Sequence, residues 1–272
     1  YLLPLYSPLR LIEEISILDH LSHGRLDIGV GRGVSPFELN YHKVDPKSSV
    51  EMFLEALDVV KCGLTHEELS HDGKHYQYTR VPMELRPFQR PHPPMRMAAS
   101  SPGTFKKVAE EGLPLFVGLR GDGLEELKVN IQIYRKTWIE MGHTDESSVF
   151  LRVPVYAAAT KEAAINEPRE CITHYFERQA RMIAAAGAQG KSAEEMRART
   201  VKALAALSYD DICRSRAAIG SPAMLIDQLT EWQEVLDIDG VVMELNAGNM
   251  LTEDQINSSV RLIAEEVMPV FK

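Results

Sequence analysis

Hydrophobic positions in this 272-residue chain fall into two alternating rhythms: helical spacings of three to four residues, and short apolar runs of strand length. Residues 1–5 are apolar and read as the end of a strand. From there Leu9, Ile12, Ile15, Leu18 and Leu21 recur every three residues, which predicts a helix capped by Ser7 with Pro8 in its first position. Ser22-His23-Gly24 stops that helix, and 26–30 follows as a short strand with the glycine-rich exit Gly31-Arg32-Gly33. The stretch through Pro46 is irregular, after which Phe53, Leu54, Leu57, Val60 and Leu64 mark one face of a long helix over 50–64. Residues 65–94 change texture. Asp72-Gly73 predicts a hairpin turn between Leu69 and Tyr78, and Pro82, Pro87, Pro91, Pro93 and Pro94 mark an excursion in the same domain.

The alternation then resumes with strand and helix at 95–99 and 104–111, at 115–117 and 124–141, and at 149–159 leading into a helix from Glu162. Strands that feed helices in this way predict a parallel sheet in an α/β fold. Residues 161–219 break the rhythm: they are rich in Ala, Arg, Glu and Met, offer no strand candidate, and read as an inserted helical segment. The rhythm returns with a helix over 222–236, a buried strand over 240–245, and a last helix over 252–267 opened by the capping box Thr252-Glu253-Asp254-Gln255. This gives about five full strands and a stub. A closed (β/α)8 TIM-type barrel needs eight strands in about 250 residues, so on that reading the chain lacks its first two to three βα units, in keeping with a start at Tyr1 rather than Met. An open doubly wound sheet accommodates five or six strands as they stand. Patterning alone leaves both architectures open.

Composition narrows the function classes. Hydrophobic residues at 44% and charged residues at 25% suit a folded domain with a sizeable core. Lys and Arg total 30 against 39 for Asp and Glu, a net charge of -9 and the wrong sign for a nucleic-acid surface. Cys62, Cys171 and Cys213 are odd in number, far apart and in no CxxC spacing, which speaks against a disulfide framework or a zinc site and for a cytoplasmic address. No apolar run approaches the roughly 18 residues of a membrane span, and no basic region precedes the short apolar start, so neither a membrane nor a secretory route is expected.

Two loops carry candidate chemistry. In the run 29–33, GxGxxG would need Gly at 29, 31 and 34, and position 34 is Val, so a dinucleotide loop is rejected. Gly29, Gly31 and Gly33 alternate instead, leaving one face bare for a flat ring, with Arg32 available for an anion; an ordinary glycine strand end with a surface Arg is the plain alternative. In Ser100-Ser101-Pro102-Gly103-Thr104, Ser101 can cap a helix whose free N–H groups and dipole favour an anion, or simply cap it with nothing bound. Both loops leave the C-terminal ends of strands, where barrels and open sheets alike place ligands. His66, His71 and His75 lie near Glu67, Glu68 and Asp72, but around a turn where side chains diverge, so no metal site is expected. Asp19 and Arg25 flank the Ser22-His23-Gly24 turn and read as a structural ion pair. Glu244 and Asn246 end the last strand, where either substrate contact or a structural role fits.

The stretch LPLYSPLRLIEEISILDHLSHGRLDIGVGRG at 3–33 resembles the bacterial luciferase-like family of flavin-dependent monooxygenases. The resemblance continues through 50–64, through LRPFQRPHPPMRMAASSPGTFKKVAEEGLPLF at 85–116, and through GSPAMLIDQLTEWQEVLDIDGVVMEL at 220–245, with 161–219 matching less distinctly. It implies one (β/α)8 barrel domain over 1–272 that begins at the end of the third strand, with 161–219 as a variable helical insertion before the penultimate barrel helix. It implies a reduced FMN at the C-terminal mouth and O2 as co-substrate in the oxidation of a small organic compound. A flavin reductase would be the partner, and the chain would assemble as a homo-oligomer. By position, Arg32 matches the arginine that contacts the flavin phosphate, and Ser101 and Thr104, with Ser100 beside them, match the residues that bind the same phosphate. The family's active-site histidine, where it has one, comes from strands this sequence does not contain, so the resemblance names no catalytic residue here. A deazaflavin-dependent dehydrogenase of the same fold and a non-catalytic barrel partner subunit are the alternatives.

Overall fold

The computed structural model describes residues 1–33, 35–119, 123–144, 147–185 and 191–271. Contacts divide the chain into two units, Tyr1–Ala98 and Ala99–Lys272.

In the first unit the predicted strand stub shrinks to one parallel bridge between Leu2 and Gly31. The chain then turns into a short helical piece at Leu3–Leu5, because Pro4 has no N–H to extend a ladder. Helix α1 (Pro8–Leu21) buries Leu11, Ile12, Ile15 and Asp19, while Leu18 and Leu21 are exposed. A strict three-residue spacing rotates by about 60° per step around a helix of 3.6 residues per turn, so the predicted stripe drifts off the buried face within two turns. Strand β1 (Ile28–Val30) follows, then α2 (Pro36–Tyr41), a short helix capped by Ser35 within the stretch read as irregular. Helix α3 (Ser49–Thr65) packs closely on α1: a Cβ at Gly63 would sit 2.3 Å from Ile12 Cδ1. Strands β2 (Glu68–Asp72) and β3 (Gln77–Pro82) form the predicted hairpin, with the Gly73 N–H donating to the Tyr76 carbonyl at 3.0 Å. Strand β4 (Met95–Ala98) pairs parallel with β1, Gly29 opposite Arg96.

The second unit runs α4 (Pro102–Glu110), β5 (Leu115–Gly118), α5 (Gly123–Glu140) and β6 (Val149–Ala157). Four helices come next, α6 (Lys161–Asn166), α7 (Arg169–Ala185), α8 (Lys191–Ala205) and α9 (Tyr209–Ser215). After β7 (Ala218–Gly220), α10 (Pro222–Leu236) and β8 (Gly240–Glu244), the helix expected over 252–267 begins as α11 (Glu253–Leu262) and continues as a π-helical piece at Ile263–Val267 and a 3-10 piece at Met268–Phe271. Strand β6 is the centre: β5, β7 and β8 all pair with it in parallel. Val149, Leu151, Val153 and Val155 are at most 1% exposed and line one face, each contributing about 1.5–3 kcal/mol by leaving water. The other face carries Phe150, Arg152, Pro154 and Tyr156.

Two expectations change here. The end of the stretch 161–219 does enter a strand, β7, whose first two residues, Ala218 and Ile219, lie within it and whose three residues pair with the last three of β6; residues 186–190 lie outside the described residues. Strand β8 is half-buried rather than buried, with Val242 38% exposed, because among the described residues its only strand partner is β6. The helices between β6 and β7 bury a cluster of their own, in which Ala164, Ile172, Phe176, Leu204 and Ile212 close over Tyr156 and Ile219. The Thr252 box is reciprocal: the Gln255 N–H donates to the Thr252 hydroxyl at 3.3 Å and the Thr252 N–H to Gln255 Oε1 at 2.9 Å.

Candidate functional site

The bare strand face is present in the first unit. Among the described residues, a Cβ at Gly29 would meet nothing within 4 Å, and one at Gly31 would touch only Ala98 and Leu2, at 3.8 Å. Gly33, at φ +86°, takes the left-handed conformation that lets the chain turn away after Arg32. The Arg32 guanidinium donates from Nη1 to Ser49 Oγ at 3.2 Å, and the Ser49 hydroxyl is itself fixed by donating to the Pro46 carbonyl at 2.8 Å. That partner is neutral, and among the described residues no carboxylate pairs with Arg32. Its charge is held in place but not cancelled. Arg96, in register with Gly29, differs: its Nε donates to both oxygens of Asp27, at 2.9 and 3.1 Å.

In the second unit the Ala99 N–H donates to the Phe116 carbonyl at 3.1 Å, which lays the 99–104 segment beside β5. Ser101 occupies the N-cap of α4 with extended backbone, Pro102 starts the helix, and the Ser101 carbonyl accepts from the Thr104 and Phe105 N–H groups at 2.8 and 3.2 Å. The Ser101 hydroxyl does not cap. It lies 2.8 Å from Thr104 Oγ1, so a pair of hydroxyls stands at the helix start. Ser100 is exposed, and a Cβ added at Gly103 would meet nothing within 4 Å among the described residues. With no acidic residue in its first turn, this end of α4 carries the positive end of the helix dipole uncompensated.

The exit of β8 holds a third polar group. Glu244 takes Arg152 on Oε1 and the Tyr175 hydroxyl of α7 on Oε2, the latter at 3.0 Å. Asn246 is structural: its Oδ1 accepts from the Met250 and Leu251 N–H groups at 3.1 and 3.2 Å and from Cys171 Sγ at 3.4 Å. A Cβ at Gly248 would fall 1.9 Å from the Cys171 carbonyl, so only glycine lets this loop seat against α7. Tyr156, on the same face of β6 as Arg152, donates to Glu167; burial and that hydrogen bond push its phenol far above the ordinary range, which removes it as a base.

Asp19 and Arg25 do not pair. Buried Asp19 accepts from the Gln89 N–H at 2.7 Å and from Gln89 Nε2 at 2.8 Å, tying α1 to the proline-rich segment, while Arg25 donates to the Ser22 carbonyl. The three histidines point to different partners: His66 to Thr65, His71 to Glu55 at 3.3 Å, and His75 to Glu51 at 3.2 Å. No cluster of metal-ligating side chains occurs among the described residues. Arg152 and Arg96 escape the sequence reading. Their signal is a single charge inside an apolar strand, Met95-Arg96-Met97 and Phe150-Leu151-Arg152-Val153.

The sequence profile of the family described as luciferase-like monooxygenase matches residues 1–237. Among curated relatives, the chain is 42% identical over 111 residues to an uncharacterized protein, y4wF, of Sinorhizobium fredii, a stretch covering 41% of this chain and 32% of that protein. It is 25% identical over 285 residues to the oxygenase component of the flavin-dependent trigonelline monooxygenase of Acinetobacter baylyi, covering 98% of this chain and 74% of that one. Among solved structures, monooxygenase RslO1 from Streptomyces bottropensis superposes with a TM-score of 0.77 at 21% identity, over 99% of this chain and 76% of that one. The oxygenating constituent of 3,6-diketocamphane monooxygenase from Pseudomonas putida, in complex with FMN, gives 0.74 at 19% identity, over 99% and 77%. The coenzyme F420-dependent tetrahydromethanopterin reductase from Methanopyrus kandleri gives 0.69 at 17%, over 98% and 80%. At these identities the structural likenesses show the fold. No helix among the described residues is long and apolar enough to cross a membrane. With the profile covering residues 1–237 and the fold shared along almost the whole chain, this protein belongs to the luciferase-like monooxygenase family of flavin-dependent oxidoreductases.

Proposed function

We propose that the protein is the oxygenase of a two-component monooxygenase that takes reduced FMN from a separate flavin reductase and, with O2, oxidises a small organic substrate. The observation that carries this reading is Arg32: a fixed guanidinium whose one protein partner among the described residues is a neutral hydroxyl, at the exit of a glycine strand with a bare face. The second anion seat, Ser100 with the Ser101 and Thr104 hydroxyl pair at the start of α4, supports it. In this reading Arg32 of the first unit is a seat for a phosphate by charge, and Gly29 and Gly31 leave room for a flat ring; in the second unit Ser100, Ser101 and Thr104 are a seat for a phosphate by hydrogen bonds. The bound reduced flavin supplies the electrons that activate O2. The chain's own work is to anchor and orient the cofactor, with fixed donors that grip the phosphate. The reductase partner rests on similarity to a protein named as an oxygenase component.

One luciferase-like (β/α)8 domain over 1–272 with a variable helical segment at 161–219, a homo-oligomeric assembly and a cytoplasmic address belong to the same proposal. A second reading, a deazaflavin-dependent dehydrogenase, draws on the fold shared with an F420-dependent reductase. Anaerobic titration of the full chain with reduced FMN and with a reduced deazaflavin separates the two. Tighter binding of reduced FMN, followed by oxygen uptake on aeration, supports the monooxygenase. Preference for the deazaflavin without oxygen uptake supports the dehydrogenase. Binding of neither below millimolar concentrations sinks both and leaves the non-catalytic partner subunit.

A further inference from the structure

The middle of β6 holds a charge that the phosphate seats do not use. Arg152 stands on the strand face opposite the buried valines, with its side chain 32% exposed. In register beside it are Gly118 of β5, which has no side chain, and Val242 of β8, which is 38% exposed, so space opens on both flanks. Its counter-charge, Glu244, is fully engaged, with Arg152 on one oxygen and Tyr175 on the other. Tyr175 is itself fixed: its ring packs edge-on against buried Phe176 at 5.1 Å, and its helix is seated on the β8 exit through Cys171 and Gly248. Arg152 is not fully engaged. Only Nη2 bonds to Glu244, and Nε and Nη1 have no protein partner among the described residues. A guanidinium buttressed on one edge and open on the rest is shaped to receive a second carboxylate, because its coplanar N–H groups match two oxygens at once. Glu244, with both oxygens occupied, offers nothing equivalent to a cation.

We propose that Arg152 is a specificity-determining residue that accepts a carboxylate of the substrate, held in position by Glu244 and Tyr175, and that the substrates are therefore small organic acids. This deepens the monooxygenase reading and rests on it for the reaction, while the carboxylate preference is measurable without turnover. The test is calorimetric titration of the full chain, with and without FMN, using benzoate and octanoate against benzamide and octanamide. The carboxylates bind about ten-fold or more tighter than the amides. Arg152→Met erases the difference, Arg152→Lys keeps part of it, and both variants bind FMN as the parent does. Glu244→Gln, which keeps the shape but removes the competing charge, strengthens carboxylate binding a few-fold, an effect that a merely structural pair would not give. Equal affinities for acids and amides, or no binding of either probe, overturn the proposal, as does weaker carboxylate binding in a Glu244→Gln variant with an unchanged melting temperature. Failure to bind FMN would overturn the flavin reading alone, because the acid–amide difference is read in its absence as well.

Discussion

Glu55 and Glu244 each sit at the centre of a polar cluster, and the clusters differ in what remains unused around them. The Glu55 carboxylate, on α3, accepts from the His75 N–H at 3.0 and 3.1 Å on its two oxygens and from the Tyr76 N–H at 2.8 Å, with His71 Nε2 at 3.3 Å. Every bond it makes ties down the β2–β3 turn, and these backbone donors find in it the partner that folding demands. Around Glu244 the acceptor is equally full, but its partner Arg152 keeps donors in hand, as Arg32 does beside Ser49. A cluster whose donors and acceptors all find one another inside the protein serves the fold. One that leaves a charged donor open toward space is set up for a ligand. Burial does not separate the two cases, since the Glu55 and Glu244 side chains are 13% and 19% exposed.

Glu55→Leu breaks the comparison most severely. It leaves backbone donors of the hairpin turn without partners and costs about 2–4 kcal/mol in urea unfolding, whereas Arg152→Met, which takes the counter-charge from a Glu244 that keeps its Tyr175 donor, costs less, about 1–2 kcal/mol. The same variant has a signature in pH. Burial pushes the Glu55 carboxyl up, but the Tyr76 and His75 N–H groups and His71 pull it further down, and the net shift is downward. A carboxyl lowered in the folded state stabilises at pH above the unfolded value of about 4.3, and that stabilisation fades as pH falls through the folded value. The stability gap between parent and Glu55→Leu is therefore constant near neutrality and shrinks in acid; a gap that widens in acid would contradict the assignment.

Two smaller effects sharpen the contrast between hydroxyls that serve the fold and hydroxyls that do not. Thr252→Ala removes a reciprocal cap and lowers stability by about 1 kcal/mol, read from the shift in denaturation midpoint. Ser101→Ala is also an N-cap change, yet the Ser101 hydroxyl bonds no backbone N–H of the helix, only the Thr104 hydroxyl, so stability moves by less than about 0.5 kcal/mol. Its cost shows instead as FMN affinity reduced several-fold, measured by fluorescence titration.

Much of the fold is legible in the residues. A near-continuous apolar run gives away β6, whose Val149, Leu151, Val153 and Val155 are the buried set, and helix α10 falls on 222–236 as its Ser-Pro start dictates. The glycine face at 29–33 and the hydroxyls at 100–104 are equally visible, because each lies within five consecutive residues. Elements too short to show a period are not visible: β7 is three residues inside an alanine-rich run, and α2 is a helix of six. Nor are partnerships across distance. Asp19 meets Gln89 from 70 positions away, and Arg152 meets Glu244 from 92. An ion pair between Asp19 and Arg25 looks natural in sequence because they are close in number, but the turn at Ser22-His23-Gly24 points Arg25 back to the Ser22 carbonyl.

The claim that an open, fixed cation marks the ligand site is tested most directly at Arg32. The measurement is anaerobic calorimetric titration of reduced FMN into the parent and into Arg32→Ala, with melting temperatures recorded for both. The account predicts that FMN affinity falls about ten-fold or more while stability is unchanged, since the lost bond to Ser49 is a single neutral-acceptor contact. Equal FMN affinity in the two proteins would contradict it, and would assign Arg32 to the surface alone.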